Sequence, residues 1–136
     1  MSYAMAGALQ AAIYASLTND AAVVALVGSD IYDAVPTGTL PEIYVSLGRE
    51  RVQDASDQTG QGAVHRLDVS VITSKPGFAA AKDVAAAISD ALHDADLALA
   101  RGTLVYLRFE RAEARRIDTS AGREIVMRFR ARVDDE

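Results

Sequence analysis

The chain has 136 residues, a length suited to one domain that buries roughly two-thirds of its unfolded surface without a staple, and residues 1–136 read as a single unit. It has no cysteine and no tryptophan, which excludes disulfides, thiolate chemistry and Cys-ligated zinc, and its net charge of −5 argues against a general nucleic-acid binder. Half of the residues are hydrophobic but only 6% are aromatic, so the core is expected to be thin and built from close helix–sheet contacts.

From the N-terminus, Met5, Leu9, Ala12, Ile13, Ser16 and Leu17 recur at helical spacing, which predicts an amphipathic helix over residues 4–18. The apolar run is broken by Gln10 and Ser16 and lacks a basic leader, so neither a signal peptide nor a membrane span is expected. Asp20 is placed to cap a second short helix through Val27, and Gly28 to end it. Residues 31–35 read as a short strand. Pro36, Gly38 and Pro41 then fix a loop, and Glu42–Gly48 resumes as a strand that starts at, or runs along, a sheet edge.

Residues 49–63 show neither helical nor strand period and are rich in loop formers, which predicts a long polar loop of the kind that is functional or disordered. Val64–Ser74 alternates, with His65, Leu67, Val69 and Val71 on one face and Arg66, Asp68 and Ser70 on the other. Pro76 opens a long helix whose stripe is Phe78, Ala81, Ala85, Ile88 and Leu92, with Val84, Ala87 and Ala91 beside it. Val105, Leu107 and Phe109 alternate, after which the apolar phase shifts to Ala112 and Ala114, predicting a bulge near Glu110 and Arg111. A turn at Asp118–Gly122 leads to a last strand with Ile125, Met127, Phe129, Ala131 and Val133 inward and Glu124, Arg128, Arg130 and Arg132 outward. The expected class is α+β: a mostly antiparallel sheet, two to three helices on one face, a long loop between the second and third strands, and a C-terminal β-hairpin.

No constellation for catalysis stands out. His65 lies on the apolar phase of a strand and reads as a satisfied sheet residue. His93, beside Asp94 and Asp96, reads as a helix-terminal histidine complementing the dipole rather than part of a metal cluster. Nucleophile elbows, phosphate-binding loops and zinc-binding helices are missing from the sequence, and Asp54 and Asp57 fall in the expected loop, where nothing fixes catalytic geometry. No catalytic residue, metal ligand or cofactor site is assigned.

Charge is unevenly distributed. Residues 1–100 hold five basic and twelve acidic residues, whereas 101–136 hold nine arginines and seven acids. Arg128, Arg130 and Arg132 share a face with Asp68, Glu110 and Glu124. That face is either a solvated mixed-charge surface or a subunit interface or channel wall.

Val27-Gly28, Ile31-Tyr32-Asp33-Ala34-Val35-Pro36 and Leu40-Pro41 with Ile43-Tyr44-Val45 and Leu47-Gly48 open a series that continues through the polar loop, His65–Val71, Ala79–Ile88, Leu107–Glu110 and Val126–Ala131. In order and spacing this series resembles, over essentially the whole chain, the small tail-completion proteins of long-tailed phages, and its Ala/Arg/Asp-rich composition is similar to versions in prophages and gene transfer agents. The resemblance implies a tail terminator made in the bacterial host cytoplasm and built into the particle. Such a protein forms a ring, typically a hexamer, that caps the head-proximal end of the tail tube, stops its polymerisation and offers a docking surface to the neck. DNA passes through the centre without being read, and no membrane is involved. On this reading Arg49, Arg51, Asp54, Asp57, Arg128, Arg130 and Arg132 are interface candidates, with the loop ordering on docking. The alternatives are another head–tail joining component, such as a stopper, or a small enzyme or ligand-binding domain.

Overall fold

The computed structural model describes residues 3–117 and 122–136, so the expected turn at Asp118–Gly122 lies, except for Gly122, outside the described residues. The elements are α1 (Ala6–Asn19), α2 (Ala21–Val27), β1 (Ile31–Tyr32), β2 (Ile43–Asp54), β3 (Gly62–Thr73), α3 (Ala79–Leu92), β4 (Thr103–Arg116) and β5 (Arg123–Asp134). One five-stranded sheet has the order β1-β2-β3-β5-β4, antiparallel except for the short β1–β2 pair. The α+β expectation and the C-terminal hairpin hold.

The core lies between the sheet and the helices. Met5, Leu9, Ile13 and Leu17 of the first helical segment, Ala81, Val84, Ile88 and Leu92 of α3, and Val69, Val71, Met127 and Phe129 of the sheet form one buried cluster. Phe129 is the largest fully buried side chain, and its burial contributes about 2–3 kcal/mol by area. Alanines along α3 keep the helix low on the strands. Asp20 caps α2 as expected: its carboxylate accepts the Val23 N–H at 3.1 Å, and Gly28 follows with φ +60°. α3 begins at Ala79 rather than at Pro76, which lies ahead of its first turn.

The long loop is a correction. β2 runs through to Asp54, with Glu50 opposite Leu67, Arg51 opposite Arg66, Val52 opposite His65 and Asp54 opposite Ala63. The register shifts between Leu47 and Glu50, and that bulge resets the alternation that otherwise marks a strand. Only residues 55–61 connect β2 to β3, and they are closed by hydrogen bonds from Ala55 N–H to Gly62 O and from Asp57 N–H to Gly60 O. An interface loop that waits for docking to become ordered is therefore not what these residues form.

β4 carries two register shifts, one at the expected place between Phe109 and Arg111 and a second between Leu104 and Tyr106. The second turns Val105 out to solvent at 54% exposure, against the inward position its alternation with Leu107 implied.

Candidate functional site

The sheet face opposite the helices gathers most of the predicted residues. Register places Arg51, Arg66, Asp68, Arg128, Arg130 and Arg132 on that face, joined from β4 by Tyr106, Arg108, Arg111, Glu113 and Arg115. Arg49, in the β2 bulge, lines the same surface beside Asp68 and Arg128 in a depression of about 360 Å³. Five of the seven sequence candidates, Arg49, Arg51, Arg128, Arg130 and Arg132, thus meet on one surface, brought there by two-residue spacing on β5 and by the bulge on β2.

Asp54 does not join them, and Asp57 stays in the β2–β3 turn. Asp54 pairs opposite Ala63 and accepts a hydrogen bond from the Ser56 hydroxyl at 2.7 Å. Asp57 shapes the β2–β3 turn: one carboxylate oxygen accepts from the N–H of Thr59 at 2.9 Å, the Thr59 hydroxyl at 3.0 Å and the N–H of Gly60 at 2.9 Å. The Thr59 backbone bond, followed by its hydroxyl, the Gly60 N–H and, last of the causes that lower it, the Arg132 charge, holds the Asp57 carboxyl below its ordinary pKa. That is chiefly local turn chemistry.

The acids on the arginine face neutralise part of it. Arg128 reaches Asp68 at 3.1 Å, Arg66 reaches Glu110 at 3.6 Å, Arg115 reaches Glu124 at 2.9 Å and Arg132 reaches Asp134 at 2.9 Å. The guanidinium of Arg108 stacks 4.5 Å from the Tyr106 ring centroid, and that of Arg130 lies 5.9 Å from it. For Arg49, Arg51 and Arg111 there is no ion pair among the described residues. The surface carries cations in excess of anions although the chain is acidic.

The histidines sit in different settings, and His65 is only half satisfied, against the expectation of a satisfied sheet residue. His65 is fully buried on the helix-facing side, with Nδ1 3.2 Å from Glu50 Oε2, while Nε2 has no partner among the described residues. Glu50 also accepts the Tyr3 hydroxyl at 3.1 Å, and that bond raises the tyrosine's pKa. His93 is the C-cap of α3; its Nδ1 accepts the Phe109 N–H at 3.0 Å, which places its proton on Nε2, 3.4 Å from Asp94. It fastens the helix end to β4. Among the described residues no group of three or more His, Asp or Glu is placed to hold a metal ion.

Sequence reading missed the helix-side groove of about 480 Å³ between α1 and the bulged end of β2, lined by Tyr3, Gln10, Tyr14, Asp33 and Glu50 among others. Only the polar tail of β2, read as loop, hid it.

Among the described residues, the most extensive of these features is the charged sheet face. A family model described as tail completion protein gp17 matches residues 11–134. The chain belongs to that family. Among solved structures, it is similar to a chain in the virion of a native gene transfer agent particle. The two share 60% identity over 98% of this chain and 99% of that one, with a TM-score of 0.94. The comparison with curated proteins returned no match. This tail-completion protein is thus a structural component of the tail and head–tail joining class, as the resemblance over essentially the whole chain implied.

Proposed function

We propose that this tail-completion protein is a tail terminator. Copies close into a ring, a hexamer, on the head-proximal end of the tail tube, end tube polymerisation and present the surface on which the neck of the head docks. Its partners are further copies of itself, the tail tube protein and a neck protein. It resides in the finished particle and is made in the host cytoplasm. DNA crosses the ring without sequence recognition, and the protein works as a fitted part rather than as an enzyme.

The observation that supports this reading is the 60% match, over 98% of this chain, to a chain of a gene transfer agent virion, together with the tail-completion family model. The geometry supports it. A closed ring needs two unlike surfaces on one subunit, and the edges of this sheet differ in charge and composition. The arginine face, with Arg49, Arg51, Arg128, Arg130 and Arg132, is the surface left for a neighbouring component above, below or within the ring.

Deleting the gene in the producing strain tests the role. Electron microscopy of the lysate is expected to show tails of abnormal length beside filled, tailless heads, with rescue by the gene in trans. Tails of normal length attached to heads would overturn it.

A further inference from the structure

The two edges of the sheet carry exposed apolar side chains of opposite electrostatic setting, and we propose that they are the two halves of a single head-to-tail contact between copies of this chain. The proposal rests on the ring reading above and assigns the surfaces that form it.

One half is β4 with the flank of α3. β4 is the outermost strand along its whole length. Near Leu107–Phe109 its free backbone groups are already taken, since Asp94 N–H donates to Leu107 O at 2.7 Å and Phe109 N–H to His93. Beyond that point, residues 110–116 have no further strand beside them among the described residues, the kind of edge that proteins normally cover or charge. Beside it runs a shallow groove of about 300 Å³ lined by Ala85, Ala86, Phe109, Ala112, Ala114 and Met127. Val105 is 54% exposed and Phe109 38%. The strand itself bears Arg108, Arg111, Arg115 and Arg116 against Glu110 and Glu113.

The other half is the β1 side, where α1 lies against β1 and α2 against β2. Residues 3–48 contain four acids, Asp20, Asp30, Asp33 and Glu42, and neither lysine nor arginine. Tyr3, Tyr14, Val24, Leu26, Val35 and Leu40 are its exposed large apolar side chains, Leu26 at 45%. Tyrosine rings beside carboxylates suit the flat guanidinium groups and aliphatic side chains of β4.

Charge selects the occupant. Two β4 edges meeting by a two-fold axis set arginine against arginine, and two α2 edges set acid against acid. A β4 edge against the α1–α2 edge of the next copy joins opposite charges and covers both apolar sets in one repeated contact. The part of the arginine face on β2, β3 and β5, with Arg51, Arg66, Arg128, Arg130 and Arg132, stays free for other components, while the β4 arginines at its margin enter the contact.

The chain lacks cysteine, so introduced thiols report the contact cleanly. The variant carrying both Val105→Cys and Leu26→Cys is treated with a bismaleimide much shorter than the sheet width. That width is four strand spacings, about 19 Å, and any link within one chain runs at monomer size and adds nothing to a ladder. The expected result is a ladder of covalent oligomers ending at the ring. Each single variant alone stays monomeric on a denaturing gel, and a mixture of the two singles gives dimers and nothing larger. Native mass spectrometry of the unaltered chain accompanies the experiment.

Dimers from either single variant alone would make the contact two-fold and overturn the proposal. An absent ladder with a ring mass for the unaltered chain would overturn the assignment of the edges while leaving the ring reading intact. An absent ladder with only monomer mass would remove both. Independently, Arg111→Glu at the exposed edge is expected to weaken association about ten-fold or more, most at low salt. Unchanged association with this variant counts against the proposal.

Discussion

Replacing Gly102 by alanine is expected to be among the most costly single-methyl additions in the chain. Gly102 stands just ahead of β4 with φ +83°, where an L side chain is strained. A Cβ there lies 2.8 Å from the backbone oxygen of Asp134, 2.8 Å from Met5 Cγ and 3.2 Å from Val133 Cγ1. The backbone oxygen belongs to the β5 end of the sheet and cannot swing aside as a side chain would. Adopting positive φ costs about 1–3 kcal/mol, and forcing a methyl into a filled site adds about 1–3 kcal/mol. Gly28 separates the two costs, since at φ +60° nothing lies within 4 Å of its added Cβ. Gly7, inside α1 with equally open space, lacks both costs, so alanine there stabilises by about 0.5–1 kcal/mol. Urea unfolding of the three variants, at concentrations low enough to avoid assembly, should rank stability Gly7→Ala above wild type, then Gly28→Ala, then Gly102→Ala. Gly102→Ala as stable as Gly28→Ala would refute the close approach of β5 and the N-terminal segment at this point.

Other outcomes follow from the same geometry. Asp20→Ala removes the cap on Val23 N–H and should cost about 1 kcal/mol in urea unfolding, with Asp20→Asn retaining most of it. Phe129→Ala, at a fully buried position packed edge-on to Phe109, should cost about 3–5 kcal/mol by the same measurement. Because the Asp57 carboxyl titrates lower folded than unfolded, its contribution to stability is complete above the ordinary aspartate range. It is lost as pH falls through the folded value. NMR titration should find its midpoint below that of an unstructured aspartate, and Thr59→Ala should move it part of the way back. A midpoint at or above the unstructured value contradicts the turn.

The helices and the central strands were legible because nothing interrupts their periods. Leu9, Ile13 and Leu17 follow 3.6 residues per turn, and both β3 and the inner set of β5 alternate without a break. Bulges decided the rest. The one near Glu110 showed itself because Ala112 and Ala114 follow in a new apolar phase. The one at Val105 was hidden because Val105, Leu107 and Phe109 alternate as well in the wrong register as in the right one. Past the β2 bulge, the helix-facing positions are Glu50, Val52 and Asp54, at an end of the sheet where His65 and Tyr3 rather than aliphatic side chains meet them. A strand whose inner positions are acidic does not look like one. The arginine face was legible from two-residue spacing on β5, but the arrival of Arg49 and Arg51 there depends on the β2 register, which only the folded sheet supplies.

The central claim is that copies of this chain close the head-proximal end of the tail tube. Imaging purified particles by electron cryomicroscopy at a resolution that traces side chains tests it most directly. The account predicts one ring of this chain, six copies, seated between the last ring of tube protein and the neck, with β4 of each copy against α1 and α2 of the next. Density for the chain repeated along the tube, or found only in the head, would contradict it.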